Sequence, residues 1–484
     1  MKSIWYLTIF IIGITQIYAK EKTNILLFTA DDLHSDSLGV YGGLPKNLTP
    51  NLDKFASEGM QFNRAHVNVA ICYPCRTVIG TGLYSHRSGG MGFMPSRPEV
   101  PNVIDIMKKG GYLTGVLGKQ AHSTPKPGSK WDYAFDQKAL GNGRSPKLYK
   151  KRSIDFFKKS KAENKPFYFM VNSHDPHRPY CYPQKLTKGE EMPSKVYTAK
   201  DVSVPGFLPD LQGVREEFAA YLNSTRRLDD TFGAVMEALE ESGFAKNTVV
   251  LFISDNGIAM PFAKCNAWLY SSKTPLLVRY PKVVAPGTVN NNHFVSTIDF
   301  LPTFLEITGV PAPRDIDGRS FLSLLQGKNQ PNRELVFTQI DKKVSGTAVP
   351  MRAVQNKKFG YIYNAFREDS RYSNNNEGRT MKSMERAART DKAIAERIKL
   401  FRHRIMEEFY DLEKDPNCLN NLINKPEYKT QIEALKKQLR SNMQMTKDPM
   451  LKAFDNMHNR KIVDQVIQAT YGKSVTKKKR KKQK

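Results

Sequence analysis

Asn24-Ile25-Leu26-Leu27-Phe28-Thr29-Ala30-Asp31-Asp32 sets the reading of the whole chain: a largely apolar run that stops on two adjacent carboxylates. A continuous run of this kind suits a strand buried on both faces of a parallel sheet. Three more runs follow the same plan. Residues 112–117 lead into Gly118-Lys119-Gln120-Ala121-His122, and residues 166–171 into Asn172-Ser173-His174-Asp175-Pro176-His177. Residues 248–253 lead into Ser254-Asp255-Asn256-Gly257. Helical patterns separate them: 52–59 and 103–110, each closed by glycine, and 216–243. In the last, Phe218, Leu222, Phe232, Val235, Met236 and Leu239 fall roughly on one face. Alternating strands and helices predict a doubly wound α/β domain. Ligands of such sheets bind beyond the carboxyl ends of the strands, and all four ends here carry ionisable groups.

A second stretch, Ile71-Cys72-Tyr73-Pro74-Cys75-Arg76-Thr77-Val78-Ile79-Gly80-Thr81-Gly82, is expected at that same edge. Pro74 suits the first turn of a helix, where no backbone N–H is required. Cys72 then sits at or just before a helix N-terminus, a place that favours negative charge, with Arg76 four residues on as a fixed cation. At the strand ends, Asp31, Asp32, Asp255 and Asn256 offer hard oxygen donors, which select Ca²⁺ or Mg²⁺ over zinc. Either pair alone reads as a helix cap or a turn. Both together, beside Cys72, read as a metal site.

Cys72, Pro74, Arg76, Thr81 and Gly82 form Cys-x-Pro-x-Arg-x-x-x-x-Thr-Gly. The pattern resembles the signature of the type I sulfatases, whose cysteine is oxidised to formylglycine. Cys75 and Gly80 depart from the residues usual in that family, but both fall outside the Cys-x-Pro-x-Arg core. The resemblance implies an alkaline-phosphatase-like α/β fold, a doubly wound mixed sheet flanked by helices. A smaller C-terminal α+β domain with an antiparallel sheet is expected beside it. It also implies a maturating, formylglycine-generating enzyme as a partner, and a cation held by Asp31, Asp32, Asp255, Asn256 and the modified Cys72. His177 becomes a candidate acid–base or sulfate-binding group. Arg178 and His174 lie on the substrate side, with His174 in a supporting role. Lys119 and His122 match a sulfate-contacting pair, spaced three apart here where the family has two. Lys264 resembles a late basic residue near the leaving group. The mechanism implied is attack on sulfur by the hydrated aldehyde, with the cation, Arg76, Lys119 and Lys264 on the sulfonate oxygens. His177 or His122 protonates the leaving atom.

Within that family the chain is most similar to the heparan N-sulfatases (sulfamidases). The resemblance rests on Ser173-His174-Asp175-Pro176-His177-Arg178, on Asp255-Asn256-Gly257-Ile258 with Lys264 and Asn266, and on Pro275-Leu276-Leu277-Val278. Pro350-Met351-Arg352-Ala353-Val354-Gln355 extends it towards the second domain, and the stretch 408–416 resembles the closing signature of sulfatase C-terminal domains in general. The implied substrate is N-sulfoglucosamine in heparan or heparin fragments. O-sulfatases, phosphonate or phosphodiester hydrolases, and an inactive polyanion-binding relative are the rivals.

The remaining sequence frames this reading. A chain of 484 residues suggests more than one domain. Expected boundaries are a signal peptide at 1–19, a catalytic domain at 20–345, a C-terminal subdomain at 346–450 with a terminal helix at 427–442, and a basic tail at 451–484. Met1-Lys2, an apolar segment and Ala19 read as a secretory signal, too short for a comfortable membrane span. Export to a periplasm, the extracellular space or a lysosome follows. The formal charge of +28 favours polyanions, and for an exported protein a sulfated glycan is favoured over nucleic acid. Cys75, Cys181, Cys265 and Cys418 allow up to two bridges. Oligomeric state stays open, a homodimer included.

Overall fold

The computed structural model describes residues 22–366, 372 and 377–472. The expected signal peptide and the lysine-rich end of the tail lie outside them. The described residues form fourteen strands in chain order. The first seven are β1 (Asn24–Ala30), β2 (Met60–Phe62), β3 (Ala65–His66), β4 (Leu113–Leu117), β5 (Tyr133–Phe135), β6 (Phe167–Asn172) and β7 (Thr248–Ser254). The rest are β8 (Leu276–Arg279), β9 (Thr288–Asn290), β10 (Val295–Ser296), β11 (Val336–Lys342), β12 (Ala348–Gln355), β13 (Phe359–Asn364) and β14 (Glu407–Asp411). The large sheet runs β5-β4-β6-β1-β7-β8-β2-β9. It is parallel from β5 to β7, and β8 pairs antiparallel with β7 and β2. This is the mixed, doubly wound α/β sheet expected.

Both faces are covered, which is why its central strands carry no polar alternation. The helices before the second domain include α1 (Pro50–Ser57), α2 (Cys72–Thr81), α3 (Ser85–Ser88), α4 (Val103–Lys109), α5 (Pro146–Ala162) and α6 (Gln212–Glu241). On β6, Phe169 stacks on Phe156 of α5 at 4.0 Å, while the next-door Tyr168 turns to Phe304 on the helix Phe300–Thr308. On α6, Phe232 meets Phe28 of β1, Phe252 of β7 and Phe55 of α1 at ring distances of 5.2, 5.5 and 5.0 Å. Truncating such a ring to alanine costs about 3–5 kcal/mol.

The second sheet is antiparallel, β11-β12-β13-β14, and begins at Val336, ahead of the boundary read from the sequence. The stretch beyond 450 differs from its expectation. Helices Leu451–Asp455 and Arg460–Tyr471 follow the helix Lys429–Met445, which is therefore not terminal. Phe454, Val463, Val466 and Tyr471 join Leu435, Leu439, Tyr361 and Phe409 in a second core. The Tyr471 hydroxyl donates to Asp341 Oδ1 at 2.7 Å. Lysines and arginines raise the average charge of this stretch, while its apolar residues at helical spacing bury one face. All five cysteines are buried, and among the described residues no bridge of the kind the sequence allowed is formed. Among the described residues, no helix is long and apolar enough to cross a membrane.

Candidate active site

Strand register brings the chemistry together. Thr29 lies opposite Asn172 and Ala30 opposite Ser254, so β1, β6 and β7 end level. The Asp255 amide donates to the Ala30 carbonyl at 3.2 Å and the Ser173 amide to Thr29 at 3.0 Å. The two acidic pairs emerge side by side. The Asp32 amide donates to Asp255 Oδ1 at 3.2 Å, and Asn256 Nδ2 to Asp32 Oδ1 at 2.7 Å. Asp32 itself has φ 71°, in the left-handed region that aspartate tolerates better than most residues.

Cys72 opens α2 behind an extended Ile71, with Pro74 in the first turn. Its thiol is 3% exposed, outside the apolar core that holds Cys75. Burial pushes it up to about 12, with Asp31 and Asp255 reinforcing and Lys264 and Lys119 opposing. Charges of both signs therefore act on this thiol. Arg76 is engaged at the strand ends. Its Nε and Nη2 reach Asp255 Oδ2 at 2.9 and 2.7 Å, and Nη1 donates to Thr29 Oγ1 at 2.6 Å and to Asn172 Oδ1. Those donors are committed to the strand ends, so Arg76 fixes Asp255 and supplies its counter-charge.

The basic groups arrive from other loops. Gly118 has φ 66°, and a Cβ there would meet the Asn172 carbonyl oxygen at 2.3 Å. That turn delivers Lys119, whose ammonium pairs with Asp31. Lys264 is 3% exposed and pairs with Asp32. Burial would raise Asp31, but Lys119, His177, Lys264 and Arg76 hold it well below the ordinary carboxylate range. His177 places Nε2 3.8 Å from Asp32 Oδ2, and Nδ1 bonds the Arg178 carbonyl. A carbonyl only accepts, so Nδ1 carries the proton in the neutral ring and Nε2 is the exchangeable site. Burial lowers the His177 pKa, against Asp31 and Asp32.

His122 lies near Lys119, Arg76 and Asp31, and burial with the Lys119 charge pushes it down to about 4. His174 is pushed to about 2 by burial and Lys119, and its ring crowds Gly143. Arg178 pairs with Glu217 at 3.1 Å and lies over the Tyr180 ring at 5.0 Å. The sequence reading missed the groups behind these. Arg227 grips Asp175 through Nε and Nη2 at 2.7 and 3.0 Å, and Arg144 Nε adds a contact at 3.3 Å. The Asp175 carbonyl accepts from the Asp31 amide at 3.2 Å. Asn172 and Thr29 stand at the ends of apolar runs, and that break in pattern was their only signal.

Asp31, Asp32 and His177 each offer a ligand atom within 4.8 Å of the others. Asp31 Oδ1, Asp32 Oδ2 and Asn256 Oδ1 are buried with no hydrogen-bond partner among the described residues. Buried carboxylate and amide oxygens left in this state are costly. Their clustering fits a divalent cation, and the donor set is mainly hard oxygen.

The Sulfatase family model matches residues 23–310, more than half of the chain, and spans every site residue above. The chain belongs to the sulfatase family. It is therefore a hydrolase of sulfated substrates with a site suited to a divalent cation. A second model, N-sulphoglucosamine sulphohydrolase C-terminal, matches residues 261–397. Human N-sulphoglucosamine sulphohydrolase is 28% identical over 479 residues, covering 91% of this chain and 94% of that protein. A Formosa agariphila ulvan-active sulfatase is 29% identical over 436 residues, covering 88% and 81%. A chain solved in complex with its substrate D-glucosamine-2-N,6-O-disulfate superposes with a TM-score of 0.65 at 19% identity, covering 88% and 99%. That last likeness speaks for the fold alone.

Proposed function

We propose that this sulfatase removes the N-sulfate of N-sulfoglucosamine units in heparan or heparin fragments, using a formylglycine made from Cys72 and a Ca²⁺ or Mg²⁺ ion. The observation that carries the chemistry is Cys72 at the first position of α2, under the influence of Asp31, Asp255, Lys119 and Lys264. Support for the N-sulfated substrate comes from the match of residues 261–397 and from the human relative over 91% of the chain. Asp31, Asp32, Asn256 and Asp255 would hold the cation, which supplies Lewis-acid stabilisation of charge on oxygen. The aldehyde supplies, as its hydrate, a renewable oxygen nucleophile that a thiol does not offer.

The chain's own residues do the rest. Lys119 pairs with Asp31 and Lys264 with Asp32, and with substrate bound their ammonium groups hold sulfonate oxygens. Arg76 orients Asp255 and favours its ionised form, against the burial and the Asp31 charge that raise it to about 7. His177 delivers a proton to the leaving nitrogen from Nε2; burial lowers its pKa, and Asp31 and Asp32 oppose that lowering. The Arg227–Asp175 pair holds the loop that carries His177. Export through residues 1–19 brings the enzyme to its glycan.

A mass spectrum of the Cys72 peptide from the source host is expected to contain the aldehyde. Sulfate release is expected to be faster from N-sulfoglucosamine than from glucosamine 6-sulfate, ulvan oligosaccharides or aryl phosphodiesters. An intact thiol overturns the nucleophile. Preference for an O-sulfate overturns the substrate and favours the reading suggested by the ulvan-active relative.

A further inference from the structure

We infer that Tyr73 and Phe93 form an aromatic wall beside the nucleophile position that receives the C–H face of the leaving-group sugar ring, and so set the enzyme's preference for a pyranose. The inference deepens the proposed reading, since it presumes a sugar sulfate as substrate.

The ionic groups already described can hold a cation and a sulfonate, but they give a sugar ring nothing apolar to rest on. Tyr73 follows Cys72 directly in the first turn of α2. Its ring lies parallel to His122 at 5.3 Å with an interplanar angle of 13°. Phe93 closes the cluster edge-on, 5.5 Å from His122 and 5.9 Å from Tyr73. His122 Nδ1 is buried without a hydrogen-bond partner among the described residues, so this ring is held by its aromatic neighbours.

The outer side of the cluster is open. Tyr73 is only partly buried, and Phe93 and its neighbour Met94 keep 40% and 38% of their surface exposed. Packing does not require a half-bare phenyl ring beside a charged pocket. A pyranose supplies what fits there: one face carries C–H groups, while its hydroxyls and sulfate point to the polar side.

The test measures binding by calorimetry in a Cys72→Ala background with Ca²⁺ present, so that neither maturation nor turnover enters. The probes are N-sulfoglucosamine, glucosamine 6-sulfate and inorganic sulfate. Phe93→Ala and Tyr73→Ala are each expected to weaken both sugars about tenfold and to leave inorganic sulfate within about twofold. Phe93→Trp is expected to restore sugar binding, and the exposure of Phe93 makes that pair the safer one for folding. Unchanged sugar affinity in both alanine variants, or an equal loss for sulfate, overturns the wall. Tighter binding of the 6-sulfate than of the N-sulfate sinks the N-sulfate reading and leaves the wall standing. If no sugar binds more tightly than sulfate itself, both fail.

Discussion

Arg76 offers the sharpest test of how the site is held. Its side chain is fully buried, and so is that of Asp255, its partner through Nε and Nη2. Replacing it by methionine keeps much of the volume but leaves Asp255 beside Asp31 and Asp32 with no counter-charge of its own. Removing one member of a buried ion pair costs about 3–5 kcal/mol, whereas removing both costs far less. Thr29 and Asn172 also lose a charged donor, roughly another 1–2 kcal/mol. Arg76→Met is therefore expected to lose about 4–7 kcal/mol in urea unfolding with EDTA present, and Arg76→Met/Asp255→Leu to recover most of that loss. If Asp255 faces a bound cation, millimolar Ca²⁺ will reduce the cost of the single variant by supplying another positive charge. A loss below about 1 kcal/mol, set against the same expectation, would refute the counter-charge role. So would a double variant no better than the single one. A loss indifferent to Ca²⁺ would remove Asp255 from the cation site.

Two further outcomes can be measured with the same protein. Ca²⁺ at about one hundred times its dissociation constant is expected to add roughly 2.7 kcal/mol of stability. Chelation should reverse the gain, and Asp31→Asn should abolish it. Burial raises Asp229 to about 7, against the amides of Leu52 and Asn51 and the Asn51 side chain. Between pH 4 and 7 the folded state then keeps a proton that the unfolded chain releases, so stability falls as pH rises through that window. Unfolding curves should show wild type losing ground to Asp229→Asn by up to about 4 kcal/mol from pH 4 to 7. A difference that is flat with pH would contradict the raised value.

The central strands were legible because a sheet covered on both faces demands unbroken apolar runs, and the polar residues that end each run mark the functional edge. The acidic pairs were legible for the same reason, and register then placed Ala30 beside Ser254. Side-chain direction was not. Arg76 lies four residues beyond Cys72, and nothing in that spacing shows that its guanidinium meets Asp255 and Asn172 at the strand ends. Arg227 and Arg144 were invisible, since a buried arginine in a long helix or loop looks like a surface one until its carboxylate is located. Residues 451–472 were read by charge as tail, whereas Phe454, Val463 and Tyr471 decide their fate. The expected Lys119–His122 pair shows both sides: Lys119 meets Asp31 directly, while the longer spacing leaves His122 packed against Tyr73 and Phe93.

The charge arrangement of the pocket carries one more consequence. Three carboxyl groups, Asp31, Asp32 and Asp255, face three basic groups, Arg76, Lys119 and Lys264. With Lys119 and Lys264 turned onto Asp31 and Asp32, the ammonium groups that a sulfate needs are engaged with carboxylates. A divalent cation competing for the same carboxylate oxygens weakens those ion pairs and makes the ammonium groups available to an anion. Cation and sulfate should therefore bind with positive cooperativity, and linkage requires the effect to be reciprocal. Calorimetric titration of Cys72→Ala protein with sulfate is expected to give a dissociation constant at least about tenfold lower in Ca²⁺ than in EDTA, a coupling of about 1.4 kcal/mol. Titration with Ca²⁺ should gain the same factor from saturating sulfate. Lys264→Met should reduce the coupling, because one of the released ammonium groups is then missing. Independent binding of the two ions would mean that the lysines serve only to neutralise Asp31 and Asp32, and that sulfate is held by other groups.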